Sequence, residues 1–149
     1  MDVSIVVPLY NEEESLAELL AWIEQVMGQN KLSYEVVMVD DGSKDQSLQV
    51  VNDLKKKYPE IKGIKFQRNY GKSAALHTGF QETMGDVVIT MDADLQDSPE
   101  EIPELYRMVK KDSFDLVSGW KKKRHDPISK RFPSKIYNRL VRWMTGIKL

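Results

Sequence analysis

The chain has 149 residues, 41% of them hydrophobic, enough for one ordinary domain with a continuous core and too few for two. It contains no Cys, which excludes disulfides and Cys-ligated zinc, and its two His, His77 and His125, lie too far apart in sequence to suggest a zinc site. The formal charge of -1 hides a division: residues 1–117 carry 12 basic and 22 acidic side chains, whereas 118–149 carry 10 basic and one acidic, a pattern that fits either an anionic partner near the C-terminal stretch or a solvated basic helix end or disordered tail.

Val3 to Val7 is a short Val- and Ile-rich run, the pattern of a strand buried on both faces. Asn11 and Glu14 have capping-box spacing, and Leu16, Leu19, Leu20, Ile23 and Met27 then recur at helical spacing in a helix that closes near Gly28. Tyr34 to Val39 predicts a second strand. Ser43 with Gln46 predicts the start of a second helix, which carries Leu48, Val51 and Leu54 and ends before Pro59. Ile61 to Phe66 reads as a third strand, followed by a helical segment with Ala74, Ala75, Leu76 and Phe80, in which His77 is a structural residue. Val87 to Met91 is a fourth strand, and Ser98 with Glu101 marks another helix start with Pro99 at its first position. Phe114 to Val117 is a fifth. After Pro133, Ile136, Leu140, Trp143 and Met144 recur at helical spacing among Lys135, Arg139 and Arg142. That is an amphipathic helix, suited either to an anionic membrane surface or to packing on its own domain. Strand and helix alternate, so right-handed crossovers should build a mostly parallel sheet covered on both faces.

Such a sheet binds ligands beyond the carboxyl ends of its strands, where helix N-termini also point. Pro8-Leu9-Tyr10-Asn11-Glu12, Asp40-Asp41-Gly42-Ser43 and Asp92-Ala93-Asp94-Leu95-Gln96-Asp97 stand at those ends, and acidic groups dominate them. Crowded carboxylates repel one another unless a divalent cation or ligand donors offset the repulsion. Asp92 and Asp94, two residues apart, are placed to share one hard cation completed by diphosphate oxygens or water; chance acidity of a loop is the plain alternative. The glycine fingerprint of dinucleotide folds is missing after the first strand, which argues against a dehydrogenase. Gly71-Lys72-Ser73 resembles the end of a P-loop, but Phe66 stands where that loop needs glycine. Asp41 reads as a cap of the second helix, with Gly42 supplying an unusual backbone angle, which leaves Asp40 as the expected ligand residue.

These three segments and Arg68-Asn69-Tyr70-Gly71-Lys72, four motifs in order over about 90 residues, together resemble family 2 glycosyltransferases of GT-A fold. The likeness is greatest to the polyprenyl-phosphate glycosyltransferases, and it continues through Ser118-Gly119 and Arg124 to Arg131. It implies an α/β fold, Rossmann-like, with a mostly parallel central sheet flanked by helices. Residues 1–117 would be the nucleotide-sugar-binding core; 118–149 would be a basic acceptor-side segment with its amphipathic helix. The resemblance implies that Pro8, Tyr10, Glu12, Asp40 and Asp92 line the nucleotide-sugar pocket. Lys72 or Arg68 would lie at its edge, unless either is a surface ion-pair partner. Asp92 and Asp94, assisted by Gln96, would hold Mg2+ or Mn2+ against the diphosphate. The implied reaction inverts the sugar by single displacement, with Asp92, Asp94, Arg124 and Arg131 as its catalytic residues. Arg124 and Arg131 match positions where relatives contact acceptor phosphate, and Lys121 and Lys130 complete the basic set. Lys121 stands where relatives commonly have Arg, and presents a point charge in place of a two-pronged grip.

The implied partners are a UDP- or GDP-sugar and an acceptor, either polyprenyl (undecaprenyl or dolichyl) phosphate or a sugar hydroxyl in polysaccharide or cell-wall synthesis; nucleic acid is not expected. A hydroxyl acceptor needs a carboxylate base, whereas a phosphate needs mainly positioning. The longest apolar runs, about six residues, fall short of the roughly 20 that span a bilayer, and Met1-Asp2 leads straight into a strand pattern. This stretch alone therefore reads as soluble and cytoplasmic. Relatives continue past the position of Leu149, so a longer, membrane-associated protein working at the cytoplasmic face is expected. A non-catalytic receiver-like module also clusters Asp at strand ends, but it places them after strands one and three, where this chain has Pro8 and Gln67-Arg68.

Overall fold

All seven residues of β1, Val3–Leu9, are buried, as the unbroken apolar run requires of a strand covered on both faces. The structure is a computed structural model describing residues 1–112 and 114–119. The chain divides into two compact units, Met1–Val117 and Ser118–Leu149, and every element below lies in the first. β1 pairs in parallel with β2, Tyr34–Asp40, on one side and with β4, Val87–Thr90, on the other. β3, Ile61–Lys65, lies outside β2, giving the order β3-β2-β1-β4. The crossovers are α1, Leu16–Asn30; α2, Ser47–Lys57; and α3, Lys72–Gln81. A 3-10 turn, Pro99–Glu101, leads into α4, Ile102–Lys111.

Alternation along the central strands divides the core between the two faces. Ile5, Val7 and Leu9 of β1, with Val36 and Met38 of β2, join Leu16, Leu19, Leu20, Ile23 and Met27 of α1 in one cluster. Val6, Val37 and Val39 pack with Ala75 of α3 on the other face. The five apolar residues that recur along α1 are thus all buried. Burying each stabilises the fold by roughly 1.5–3 kcal/mol before entropy is subtracted. Gly79 lets α3 approach closely: a Cβ there would fall 2.4 Å from Val6 Cγ1.

At the amino ends of the strands, Glu35 is 2% exposed. It accepts hydrogen bonds from Ser4 Oγ and the Met84 N–H, both at 2.6 Å, and ion-pairs with Lys62 Nζ at 2.8 Å. Burial by itself would push this carboxyl up, but the donors from Lys62, Ser4 and Met84 outweigh it and hold the group below the ordinary glutamate value. This node ties β1, β2, β3 and the turn before β4 together at the end opposite the acidic loops.

Two expectations from local pattern are revised. Asn11 and Ser43 do not cap helices; α1 starts after Ser15 and α2 after Gln46, neither with a side-chain cap. α1 ends near Gly28 as expected, at Asn30, and is closed by Lys31 in the left-handed region at φ 54°. Phe114 to Val117 forms no strand; Phe114 is 50% and Leu116 86% exposed. A four-residue run interrupted by Asp115 has too little apolar surface to hold itself in a sheet without a partner, and none pairs with it among the described residues.

Candidate functional site

The sheet order reverses between β1 and β4, and a crevice at such a switch point, beyond the carboxyl ends, is where an open α/β sheet leaves room for a ligand. Proline helps to open it. Leu9 of β1 accepts from the Asp41 N–H beyond β2, and Val6 accepts from the Met91 N–H beyond β4. Odd residues of β1 therefore face β2 and even residues face β4, so Pro8 points toward β4 above the last paired rung, Val6 with Thr90. No donor is needed there, which is why a central strand tolerates proline at this position. A cavity of about 360 Å³ occupies the gap.

The loops after β1 and β2 are laced by side chains bonding each other's backbone. Asn11 Oδ1 accepts from the Lys44 N–H and Ser43 Oγ from the Asn11 N–H, at 2.8 and 3.0 Å. Ser47 Oγ accepts from the Glu12 N–H, and Glu13 Oε2 from the Gln46 N–H, at 2.8 and 2.6 Å. Asn11 sits at φ 58°, a left-handed angle that asparagine tolerates better than most residues. The residues that mimic capping boxes are thus consumed in joining two loops.

A third loop is fastened to the same corner. Asp41, 4% exposed, accepts from the Tyr70 and Gly71 N–H groups at 2.7 and 2.9 Å. Gly42, at φ 75°, lies so close that a Cβ would fall 2.5 Å from the Arg68 carbonyl carbon. Asp40 is 1% exposed and its Oδ1 accepts from the Ser43 N–H at 2.8 Å, closing the turn. The structure places Asp41 on the cavity wall and Asp40 in the turn behind it, and neither caps α2. Sequence reasoning missed Asp41 because its partners lie 29 and 30 residues away.

The cavity brings together Pro8, Tyr10 and Glu12 from the first loop, Asn69, Gly71 and Lys72 from the third, and Asp92, Ala93 and Asp94 after β4. Lys72 Nζ makes an ion pair with Asp92 Oδ1. Arg68, the alternative to Lys72, instead lies over the Tyr70 ring at 4.9 Å. The Asp92 N–H donates to Asp97 Oδ2 at 3.0 Å, and the Gln96 N–H donates to Asp94 Oδ1 at 3.1 Å across a turn with Leu95 at φ 62°. Gln96 therefore orients Asp94 through its backbone and is absent from the wall. Among the described lining residues the charged side chains are Glu12, Asp41, Asp92 and Asp94 against Lys72, an excess of negative charge suited to binding a cation. Arg124 and Arg131, with Lys121, Lys130 and the amphipathic helix after Pro133, lie outside the described residues. The receiver reading finds no support, since β1 ends in Leu9 and β3 in Lys65.

The sequence model of glycosyl transferase family 2 matches residues 4–148. The chain belongs to this family. A family member from Pseudomonas fluorescens (strain Pf0-1), undecaprenyl-phosphate 4-deoxy-4-formamido-L-arabinose transferase, is 45% identical over 99% of this chain and 43% of its own length. This chain thus spans less than half the length of such relatives. Among solved structures, the Pyrobaculum calidifontis mannosyltransferase PcManGT in complex with GDP-Man and Mn2+ superposes with TM-score 0.69 and 27% identity. The match covers 80% of this chain and 35% of that one. Staphylococcus aureus TarS 1-349 with UDP-GlcNAc gives 0.62 and 25%, covering 85% and 37%. The parallel sheet with flanking helices is accordingly the GT-A fold.

Proposed function

We propose that the protein transfers a sugar from a nucleoside diphosphate sugar to polyprenyl phosphate by a metal-assisted, inverting single displacement, with this chain supplying the donor half of the site. The observation that carries the reading is the cleft at the β1/β4 switch point, lined by Asp94 and by Asp92, which pairs with Lys72. The likeness to proteins holding UDP-GlcNAc and GDP-Man supports the donor class. The undecaprenyl-phosphate relatives and the basic stretch 118–149 support the acceptor. Such an acceptor is a membrane lipid, so the whole protein would work at the cytoplasmic membrane face; among the described residues no helix is long and apolar enough to cross a membrane.

Tyr10, 38% exposed on the cavity wall, offers a ring face to a nucleobase, while Pro8 and Glu12 bound the same end. The diphosphate then extends toward Lys72 and the carboxylates. Asp92 and Asp94 offer hard oxygen donors, the chemistry that suits Mg2+ or Mn2+. Among the described residues no group of three or more His, Cys, Asp or Glu could hold a metal by itself, so diphosphate oxygens and water would complete the coordination. A bound ion of this kind supplies charge stabilisation at the leaving diphosphate. The acceptor phosphate oxygen forms its bond to the anomeric carbon on the face opposite the leaving group, as the bond to the β-phosphate oxygen breaks and that oxygen keeps the electron pair. A phosphate is already anionic and needs no base; Arg124 and Arg131 are assigned to hold it in line.

The test is transfer by the intact protein from UDP- and GDP-sugars to polyprenyl phosphate, with Mn2+ or with chelator. Asp92→Asn and Asp94→Asn should each lower kcat/KM by about 100-fold or more. Transfer at the parental rate by the doubly substituted protein would sink the reading. Activity toward a glycan hydroxyl and none toward the lipid would replace the acceptor and leave the donor half standing.

A further inference from the structure

We infer that Lys72 is an internal stand-in for the metal: in the donor-free protein its ammonium neutralises Asp92, and that carboxylate opens to a divalent ion when the incoming diphosphate takes over the ammonium. The inference rests on the metal-dependent reading above and adds an order of events to it.

Among the described residues that line the cavity Lys72 is the one cation, and its Nζ sits on Asp92 Oδ1. A divalent ion and an ammonium cannot both crowd that carboxylate without repelling each other. A diphosphate changes the balance, because its oxygens accept from the ammonium and ligate the ion together. Metal and donor should then tighten each other's binding, a reciprocal coupling.

The exchange needs only a side-chain rotation. The backbone before Lys72 is pinned by Asp41, which accepts from the Tyr70 and Gly71 N–H groups, and by the approach of Gly42 to Arg68 and Asn69. The Ala74 and Ala75 N–H groups bond the Gly71 carbonyl and begin α3. The Lys72 side chain, by contrast, is 58% exposed and its partner 42%. A solvent-reached pair of this kind is weak enough to exchange readily. Lysine suits the task, with a compact charge on a flexible stem that moves between carboxylate and phosphate.

The experiment is calorimetric titration of the intact protein with Mn2+, without and with UDP or GDP, for the parent and for Lys72→Met. Without nucleotide, Lys72→Met should bind Mn2+ about five- to tenfold more tightly than the parent. With Mn2+ present, the same variant should bind the preferred nucleotide about tenfold more weakly. Lys72→Arg, which keeps the charge, should leave Mn2+ affinity near the parental value. If Lys72→Met is poorly folded by circular dichroism, Lys72→Gln takes its place. Unchanged or weaker Mn2+ binding on removing the charge overturns the inference while nucleotide-dependent metal binding still stands. A parent that binds no Mn2+ even with nucleotide overturns the metal-dependent reading and this inference with it.

Discussion

Replacing Gly42 with Ala tests whether the second and third loops form one fastened corner. The new Cβ would lie 2.5, 2.7 and 2.8 Å from the Arg68 carbonyl carbon, Arg68 Cα and the Asn69 nitrogen. All three are backbone atoms that cannot swing aside as a side-chain tip does. The left-handed φ of 75° costs an alanine about 1–2 kcal/mol. Relieving the collision by moving the loop costs about 1–3 kcal/mol more, and it stretches the two N–H bonds to Asp41. Destabilisation should total about 2–5 kcal/mol, a large share of the 5–15 kcal/mol typical of a domain. Gly28→Ala is the internal control, because in the last turn of α1 its Cβ meets nothing within 4 Å and alanine there should gain up to about 1 kcal/mol. Urea unfolding of both variants, with nucleotide affinity measured alongside, decides the matter. A Gly42→Ala protein within 0.5 kcal/mol of its parent, with unaltered nucleotide binding, would refute the fastened corner.

Gly79→Ala sets helix propensity against packing. Alanine should gain about 1 kcal/mol in α3, but its Cβ would lie 2.4 Å from Val6 Cγ1, a clash costing about 1–3 kcal/mol; net destabilisation in thermal unfolding, reduced in a Val6→Ala background, is expected. Asp41→Asn leaves one of the two loop N–H groups facing a donor, so stability should fall by about 1–3 kcal/mol, with nucleotide affinity by calorimetry falling too. Glu35→Gln should cost about 1–3 kcal/mol at neutral pH by removing the charge that pairs with Lys62, whose ammonium then keeps the Glu82 carbonyl. Because the folded carboxyl sits below its ordinary value of 4.5, its contribution is full above that value and fades as pH falls through the folded one. The gap in denaturant midpoint between parent and Glu35→Gln should therefore narrow as pH drops from about 5 to about 3.

The four strands, the buried stripe of α1 and the acidic loops after β1, β2 and β4 are legible from the residues in order. Burial of a strand or helix face leaves a period in the sequence that a short window already contains. Asp92 and Asp94 were likewise readable, because their spacing and their place after a strand are local facts. The assignment of Asp40 and Asp41 was not. Which carboxylate lines the cavity depends on a loop 29 residues further along arriving with two free N–H groups, and nothing beside Asp41 announces that loop. Asn11 and Ser43 were misread for the same reason: each carries a capping signature, yet its partner lies 33 or 32 residues away in the neighbouring loop. Phe114 to Val117 has the composition of a strand, but a strand exists only where another offers its edge. The chain's order of residues thus decided which segments are buried and where the acids stand. Which loops meet, and so which acid lines the cavity and which lysine pairs with Asp92, was decided by the sheet bringing distant segments to one edge, since hydrogen bonds between loops have no period for a sequence to display.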